Sequence, residues 1–258
     1  MNICVFIKQV PEESRVKVKD NTLICEGIPQ IINPADLNAL EIALQIKDDI
    51  GGLVTVCTMG PLSAENLLRQ TAAMGADKLC LISDSAFVGS DTLVTSKILA
   101  KAVQHLGGFD LILCGRKSID FETGHVGTEL AALLNIPCLT NCVTLRIDGS
   151  SIICRRILEA VYQEWRFRLP ALITVYNSIN SPRLPSISGI RYAANLPIEL
   201  LTAKTLNIPL GHCGLLGSPT TVRNITAKPF KKRRVVRTNK EDGIKQVLML
   251  IRDAKRDL

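Results

Sequence analysis

Four short apolar runs set the pattern of the first half of the chain: Ile3 to Lys8 (ICVFIK), Leu53 to Thr58 (LVTVCT), Lys78 to Ser83 (KLCLIS) and Asp110 to Cys114 (DLILC). Their apolar positions are continuous rather than alternating, as expected for strands buried on both faces of a parallel sheet. Between them lie longer segments with apolar residues at helical spacing. These are Ala35 to Lys47, with Leu37, Leu40 and Leu44 on one face, then Leu62 to Met74, Asp91 to Gln104, and Val126 to Leu134. Pro34 suits the start of the first helix and Asn33 its cap. Strand–helix–strand alternation requires crossover connections, so parallel pairing is expected. After Pro137 the period changes. Asn141 to Ile147, Ser151 to Arg156 and Trp165 to Leu169 read as antiparallel strands, with Asp148-Gly149-Ser150 as a hairpin turn. Leu172 to Val175 is a further buried strand. From Asn177 the chain has several prolines and little periodicity, and it reads as an irregular, projecting loop. Glu241 to Lys255 is a last helix. The expected class is α/β, a parallel sheet with a small antiparallel portion and a C-terminal arm.

Composition narrows the class little: 258 residues, 47% hydrophobic and 21% charged, is ordinary for a globular protein. No run approaches the roughly 18 to 20 apolar residues that span a bilayer. The N-terminal apolar stretch, Ile3 to Ile7, lacks a positive flank and a small-residue cleavage site, so it does not read as a signal peptide. A cytoplasmic protein is expected. Charge is more informative. Of 31 basic and 24 acidic residues, 11 and 4 fall between Lys228 and Leu258, leaving 20 of each in the first 227. The whole excess of +7 therefore sits in the tail, densest from Lys228 to Arg237. A nucleic-acid reader would spread its basic residues over one face of the fold. The tail instead suggests an acidic partner surface, with a solvated segment as the plain alternative.

Nine cysteines at positions 4, 25, 57, 80, 114, 138, 142, 154 and 213 include no C-x-x-C pair, and no histidine neighbours Cys138 or Cys142. No metal site is expected. Cys4, Cys57, Cys80 and Cys114 lie in apolar runs and read as small buried hydrophobes in a reducing compartment. Walker A, G-x-G-x-x-G, G-x-S-x-G and H-E-x-x-H sequences are absent, which removes support for the common enzyme classes.

In an open parallel sheet, ligands sit beyond the carboxyl ends of the strands near a topological switch point. That rule selects Phe6 to Gln9, Thr58 to Pro61 and Gly115 to Gly127 (GRKSIDFETGHVG). The third segment leaves a strand, passes Asp120 and Glu122, and enters a helix through Thr123, Gly124 and Gly127. Amides at a helix start suit a phosphate, and Asp120 can accept from a hydroxyl or an adenine amine. A plain helix cap is the alternative. No nucleophile or base accompanies the two carboxylates, so acid–base catalysis is not indicated. Asp91 to Ser96, after Gly89-Ser90, is either a capped helix start or part of a diphosphate path.

Taken in order, VFIKQVPE, IINPADLNALEIAL, VCTMGP, AAMGADK, FDLILCGRKSIDFETGHVG, LPALITV and SPRLPSISGIRYA resemble the β subunit of electron-transfer flavoproteins over nearly the whole chain. The resemblance implies an adenine-nucleotide-binding α/β sandwich over residues 1–212. It also implies a C-terminal arm and helix, 213–258, around an α subunit that carries FAD. In one subtype the β site holds structural AMP. In the electron-bifurcating subtype it holds a second FAD, which takes hydride from NADH. The segments TLICEGIPQIINPADLNALE, FVGSDTLVTSKILA and GLLGSPTTVRNITAKPFKKR resemble the second. On that resemblance Asp91 to Ser96 are expected to contact a flavin diphosphate rather than only to cap. One electron would pass to ferredoxin or flavodoxin and one through the α-subunit FAD to a dehydrogenase. A stand-alone nucleotide-binding sensor is the alternative from another class. The cofactor-binding residues implied are Phe6, Lys8, Asn33, Asp36, Met59, Gly60, Asp91, Thr92, Thr95, Gly115, Arg116, Asp120, Glu122, Thr123, Gly124, His125, Val126 and Gly127. Arg183, Ser186 and Ile187 are implied in docking the dehydrogenase, with Ile187 as the apolar anchor. The chain departs from the family pattern at His125, where a Gln is common, and at Glu122, where an Asp is.

Overall fold

A computed structural model describes residues 1–12, 17–19, 22–24, 28–159, 161–223 and 239–254. The described strands and helices run in the order β1 (Asn2–Ile7), β2 (Gln9–Pro11), β3 (Lys17–Lys19), β4 (Thr22–Ile24), β5 (Gln30–Ile32), α1 (Pro34–Ile50), β6 (Leu53–Met59), α2 (Glu65–Met74), β7 (Lys78–Ile82), α3 (Thr92–His105), β8 (Leu111–Gly115), α4 (Val126–Leu134), β9 (Cys138–Asp148), β10 (Ser151–Leu158), β11 (Val161–Arg168), β12 (Ala171–Val175), α5 (Ile187–Asn195), β13 (Ile198–Leu201), α6 (Gly214–Gly217) and α7 (Lys240–Ala254). Nine strands form one sheet in the order β11-β10-β9-β12-β8-β1-β6-β7-β13. From β9 to β13 every pairing is parallel, and β10 and β11 extend the sheet antiparallel at one end. The fold class read from the sequence is therefore observed.

The continuous apolar runs have a direct cause. Side chains along a strand alternate faces, and here both faces are covered. Ile3, Val5 and Ile7 point into a core shared with α1 and α2, while Cys4 and Phe6 point into a second core shared with α3 and α4. Chain order places the switch point at β1. The chain leaves β1 through α1 to reach β6 and then β7 on one side, and crosses through α3 to β8 on the other. The connections that follow β1 and β8 consequently leave on opposite sides of the switch point, and the crevice between such connections is where these sheets bind ligands.

Residues 1–224 form one compact unit and 225–258 a second. The second contains α7, whose Ile244, Val247, Leu248 and Met249 are all exposed. The basic run Lys228 to Arg237 lies outside the described residues, as do Cys25 and Lys255. No helix among the described residues is long and apolar enough to cross a membrane.

Two segments differ from the sequence expectation. Residues 187–195 are helical, not irregular. Ser186 caps α5 by accepting from the Gly189 amide at 2.9 Å, and the Ser186 amide donates to the Ala73 carbonyl at 3.2 Å. A β-carbon on Gly189 would overlap that same carbonyl, so glycine is what lets α5 lie against the end of α2. The start of the expected arm also folds back on the body. The Leu215 amide donates to the Val88 carbonyl at 3.2 Å, and Cys213 is buried in the second core.

Candidate functional site at the carboxyl edge of the sheet

The crevice is organised by two residues at the start of α1. Asp36 is buried, and its carboxylate accepts from the Lys8 amide at the end of β1 and from the Gly115 amide at the end of β8, both at 2.8 Å. It thus ties together the two strand ends that flank the switch point. Burial pushes its carboxyl up to about 6, and the two amides, Asn33 and the Lys8 charge oppose that rise only in part. Asn33 occupies the cap position of α1, but its side chain makes no cap hydrogen bond. It reaches across the crevice instead, donating to the Lys117 carbonyl and accepting from the Ile119 amide, both at 3.1 Å. The expected local cap is therefore a long-range brace for the 115–127 loop.

Along that loop, Lys8 and Asp120 form an ion pair at 2.5 Å, with the Lys8 ammonium 5.0 Å from the Phe121 ring centre. Glu122 takes a positive φ of 53° and pairs with Lys117 at 2.5 Å. The Arg116 guanidinium lies over the Tyr176 ring. Gly124 has a φ of +67°, which favours glycine. His125 occupies the cap position of α4 without a side-chain cap bond, so the first amides of that helix are not taken by its cap residue.

The other glycines of the loop have a different cause from the one expected. A β-carbon on Gly115 would collide with the Asp36 carboxylate and lie 2.7 Å from the Ala35 methyl. On Gly127 it would lie 2.7 Å from the Thr174 methyl and 3.0 Å from the Cys114 sulfur. Both are small because a helix packs against the sheet there. Phe6 is likewise buried in the second core, and Met59 packs against it.

Asp91 to Ser96 are joined to α4 by a residue the sequence reading passed over. Glu129, in the first turn of α4, accepts from the Thr92 hydroxyl at 3.1 Å and the Ser96 hydroxyl at 3.0 Å. Asp91 caps α3 through the Val94 amide at 3.0 Å, and its other oxygen accepts from the Thr220 hydroxyl and amide. Partial burial pushes the Asp91 carboxyl up, but these hydrogen bonds outweigh it and hold the group below the usual carboxylate range.

Two buried polar atoms lack a protein partner among the described residues: the Thr58 hydroxyl and the Gln9 side-chain carbonyl. Thr58 is paired with Ile7 at the carboxyl end of β6, and Gln9 follows β1 two residues later. Both orphans lie at the edge selected from the sequence.

The docking residues are elsewhere. Arg183 is held inside the chain by Glu41 at 2.9 Å and Asp48 at 2.8 Å, and Ser186 is the α5 cap. Ile187 is 78% exposed, the only one of the three that presents an apolar side chain to solvent. A groove of about 390 Å³ beside α5 is lined by residues including Lys47, Asp77, Ser186, Ser188 and Tyr192. Asp77 bonds the Val54 amide at the amino end of β6, so this groove and α5 lie at the edge opposite the Asp36 crevice. No grouping of described residues has the makings of a metal site.

Comparison with known proteins identifies the family. Residues 20–206 match the electron transfer flavoprotein domain. The chain is 45% identical to electron transfer flavoprotein subunit beta of Thermoanaerobacterium thermosaccharolyticum over 86% of each chain. It is 40% identical to electron transfer flavoprotein subunit beta of Clostridium acetobutylicum over 90% of each. It is 41% identical to caffeyl-CoA reductase-Etf complex subunit CarD of Acetobacterium woodii, over 90% of this chain and 89% of that one. With the switch-point crevice in place and relatives matched across nearly their full length, the chain belongs to the electron transfer flavoprotein β-subunit family.

Proposed function

We propose that the chain binds FAD at the carboxyl edge of its sheet and acts as the β subunit of a bifurcating electron-transfer flavoprotein in the cytoplasm. Its partners in this reading are an FAD-carrying α subunit, a flavin dehydrogenase, and ferredoxin or flavodoxin. The observation that carries the reading is the polar bracing of the switch-point edge by Asp36 and Asn33, with the Thr58 and Gln9 oxygens unpartnered among the described residues at the same edge. Such oxygens accept hydrogen bonds and fit an adenine amine, ribose hydroxyls or ordered water. The amides that open α4 fit a phosphate, and Lys8 and Arg116 supply positive charge beside them.

When bound, the flavin supplies hydride acceptance from NADH and one-electron delivery to two acceptors. The chain's own residues bind and orient it. Asp120 accepts from a hydroxyl or amine once Lys8 is shared with the ligand. Gly124 lets the loop turn tightly toward α4. Phe121 and Met59 supply apolar surface that excludes water. The name of the Acetobacterium relative places that protein in a complex with a CoA reductase, which supports a dehydrogenase of similar substrate class as the downstream partner.

An AMP-only site is the second reading, and Asp91 favours it: its carboxylate takes up the Val94 amide at a helix start where a flavin diphosphate would need open donors. Acid extraction of the purified αβ pair separates the two. Two FAD per pair are expected. One FAD with one AMP would leave the family intact and overturn the bifurcating assignment.

A further inference from the structure

The contacts of Asp91 point away from the nucleotide. One carboxylate oxygen accepts from the Val94 amide at 3.0 Å. The other accepts from the Thr220 amide at 3.1 Å and the Thr220 hydroxyl at 2.8 Å. The Asp91 amide donates to the Ser218 hydroxyl at 2.8 Å, and that hydroxyl donates on to the Gly214 carbonyl at 2.7 Å. Gly214 has a φ of +54°, and a β-carbon there would lie 2.6 Å from the Val88 carbonyl, so the chain passes flush against residues 86–88. Residues 213–220 are therefore stitched to the first turn of α3, immediately before the chain leaves the first unit. From its other side, that same turn is tied through Thr92 and Ser96 to Glu129 in the first turn of α4. A short, doubly bonded helix turn thus stands between the root of the C-terminal segment and the helix start that adjoins the crevice.

We infer that Asp91 is a positioning residue that latches the root of the C-terminal segment to the nucleotide site, so that nucleotide in β and binding of the α subunit strengthen each other. This rests on the reading above, in which β binds a nucleotide at the crevice and α through its C-terminal segment. Electrostatics argue for this role over a diphosphate contact. A carboxylate at a helix start complements the dipole and engages an amide, and it repels a phosphate brought to the same place. Ligand contacts that order the α4 start also order Glu129, Thr92 and the Asp91 turn. That fixes where the segment departs and lowers the ordering cost of its binding to α. Linkage makes the effect reciprocal: whatever factor FAD gives to α affinity, α gives to FAD affinity.

The test uses the full-length αβ pair. Dissociation on dilution is followed with labelled α, with and without saturating FAD, for the wild type, Thr220→Val, Thr220→Ser and Asp91→Asn. Bound nucleotide is measured by extraction from each. Thr220 is outside the proposed cofactor contacts, so its loss does not remove a ligand bond directly. For the wild type, FAD is expected to tighten the pair about ten-fold, within the usual range of coupling. Thr220→Val and Asp91→Asn are expected to bring that ratio close to one. Thr220→Ser, which keeps the hydroxyl, is expected to restore it, an outcome that lost packing alone would not produce. An undiminished ratio in Thr220→Val, or equal loss in Thr220→Val and Thr220→Ser, overturns the latch. A wild-type pair that binds nucleotide but shows no ratio overturns the latch alone. A wild-type β that binds no nucleotide overturns the proposed function with it.

Discussion

At the level of single residues, the crevice is built by polar groups whose roles depend on partners far away in sequence. Asp36 is the clearest case. Read locally, it is an acid in a helix first turn, which complements the helix dipole. In the fold it is a buried clamp on two strand ends, and its charge carries a desolvation cost. The sign of that cost is testable. Folded chains keep the Asp36 proton up to about pH 6, whereas unfolded chains lose it near 3.8. Between those values the native state binds more protons, so this group's contribution to stability falls as pH rises and levels off above 6. The full effect is on the order of 3 kcal/mol. Urea unfolding of the wild type and Asp36→Asn at pH 4 and pH 7.5 should show the wild type losing more stability than the variant over that interval. Equal losses would mean that the clamp is not a buried carboxyl. Asp120 belongs to the same scale. Asp120→Ala removes a proposed ligand acceptor and frees Lys8, so it should weaken FAD binding by roughly 1 to 3 kcal/mol while moving the thermal midpoint little. Unchanged FAD content would place the site elsewhere.

At the level of elements, the buried strands β1, β6, β7, β8 and β12 and the helices α1 to α4 and α7 were legible because two-sided burial and the helical repeat are local properties of the chain. The features that were not legible depend on tertiary contact. Residues Ile187 to Asn195 follow a Pro-rich stretch and form only two and a half turns, too short to show a periodicity. What stabilises α5 is the Ser186 cap and the approach to α2 that Gly189 permits. Residues Ile198–Leu201 make the edge strand β13 beside β7, an assignment their four-residue length and the preceding Pro197 conceal. The glycines of the 115–127 loop read as room for a ligand, and the structure gives two of them another cause. Gly124 serves the turn, but Gly115 and Gly127 are small because a helix packs there. The helical form of α5 sharpens its proposed role. Ile187 stands exposed at the start of a capped helix, at the edge opposite the Asp36 crevice. A rigid apolar anchor loses little entropy when it is buried by a partner. Ile187→Ala should therefore slow electron transfer to the dehydrogenase, with a binding loss of about 2 kcal/mol. FAD content and reduction by NADH should not change. A fall in flavin content would show that the residue supports the fold of its own subunit. Arg183 serves α5 differently: its ion pairs with Glu41 and Asp48 hold the approach to the helix on α1, so its replacement should loosen the loop before it affects any partner.

At the level of the whole molecule, the first 224 residues contain both cores, and the whole excess of positive charge lies beyond them in the sequence. In the second unit, α7 presents Ile244, Val247, Leu248 and Met249 at spacings of three, four and five residues, all more than half exposed. A helix of this kind gains its stability from burial of its apolar stripe rather than from propensity alone. Burying side chains of this size contributes about 1.5 to 3 kcal/mol each, whereas exposed ion pairs from the basic run contribute about 0 to 1. Apolar burial should therefore dominate the grip of the C-terminal segment on an α subunit, with charge setting its direction of approach. Truncation after Asn224 keeps the Asp91 latch and both cores, so the shortened chain should unfold within a few degrees of the full one. It should nevertheless lose most of its affinity for α. Leu248→Asp in the full chain should reproduce much of that loss, while raising the salt from about 0.1 M to 1 M, which shortens the screening length to about 3 Å, should weaken the wild-type pair only modestly. A strong salt dependence would show that the basic run holds the partner. Normal pairing by the truncated chain would assign the second unit to some other surface.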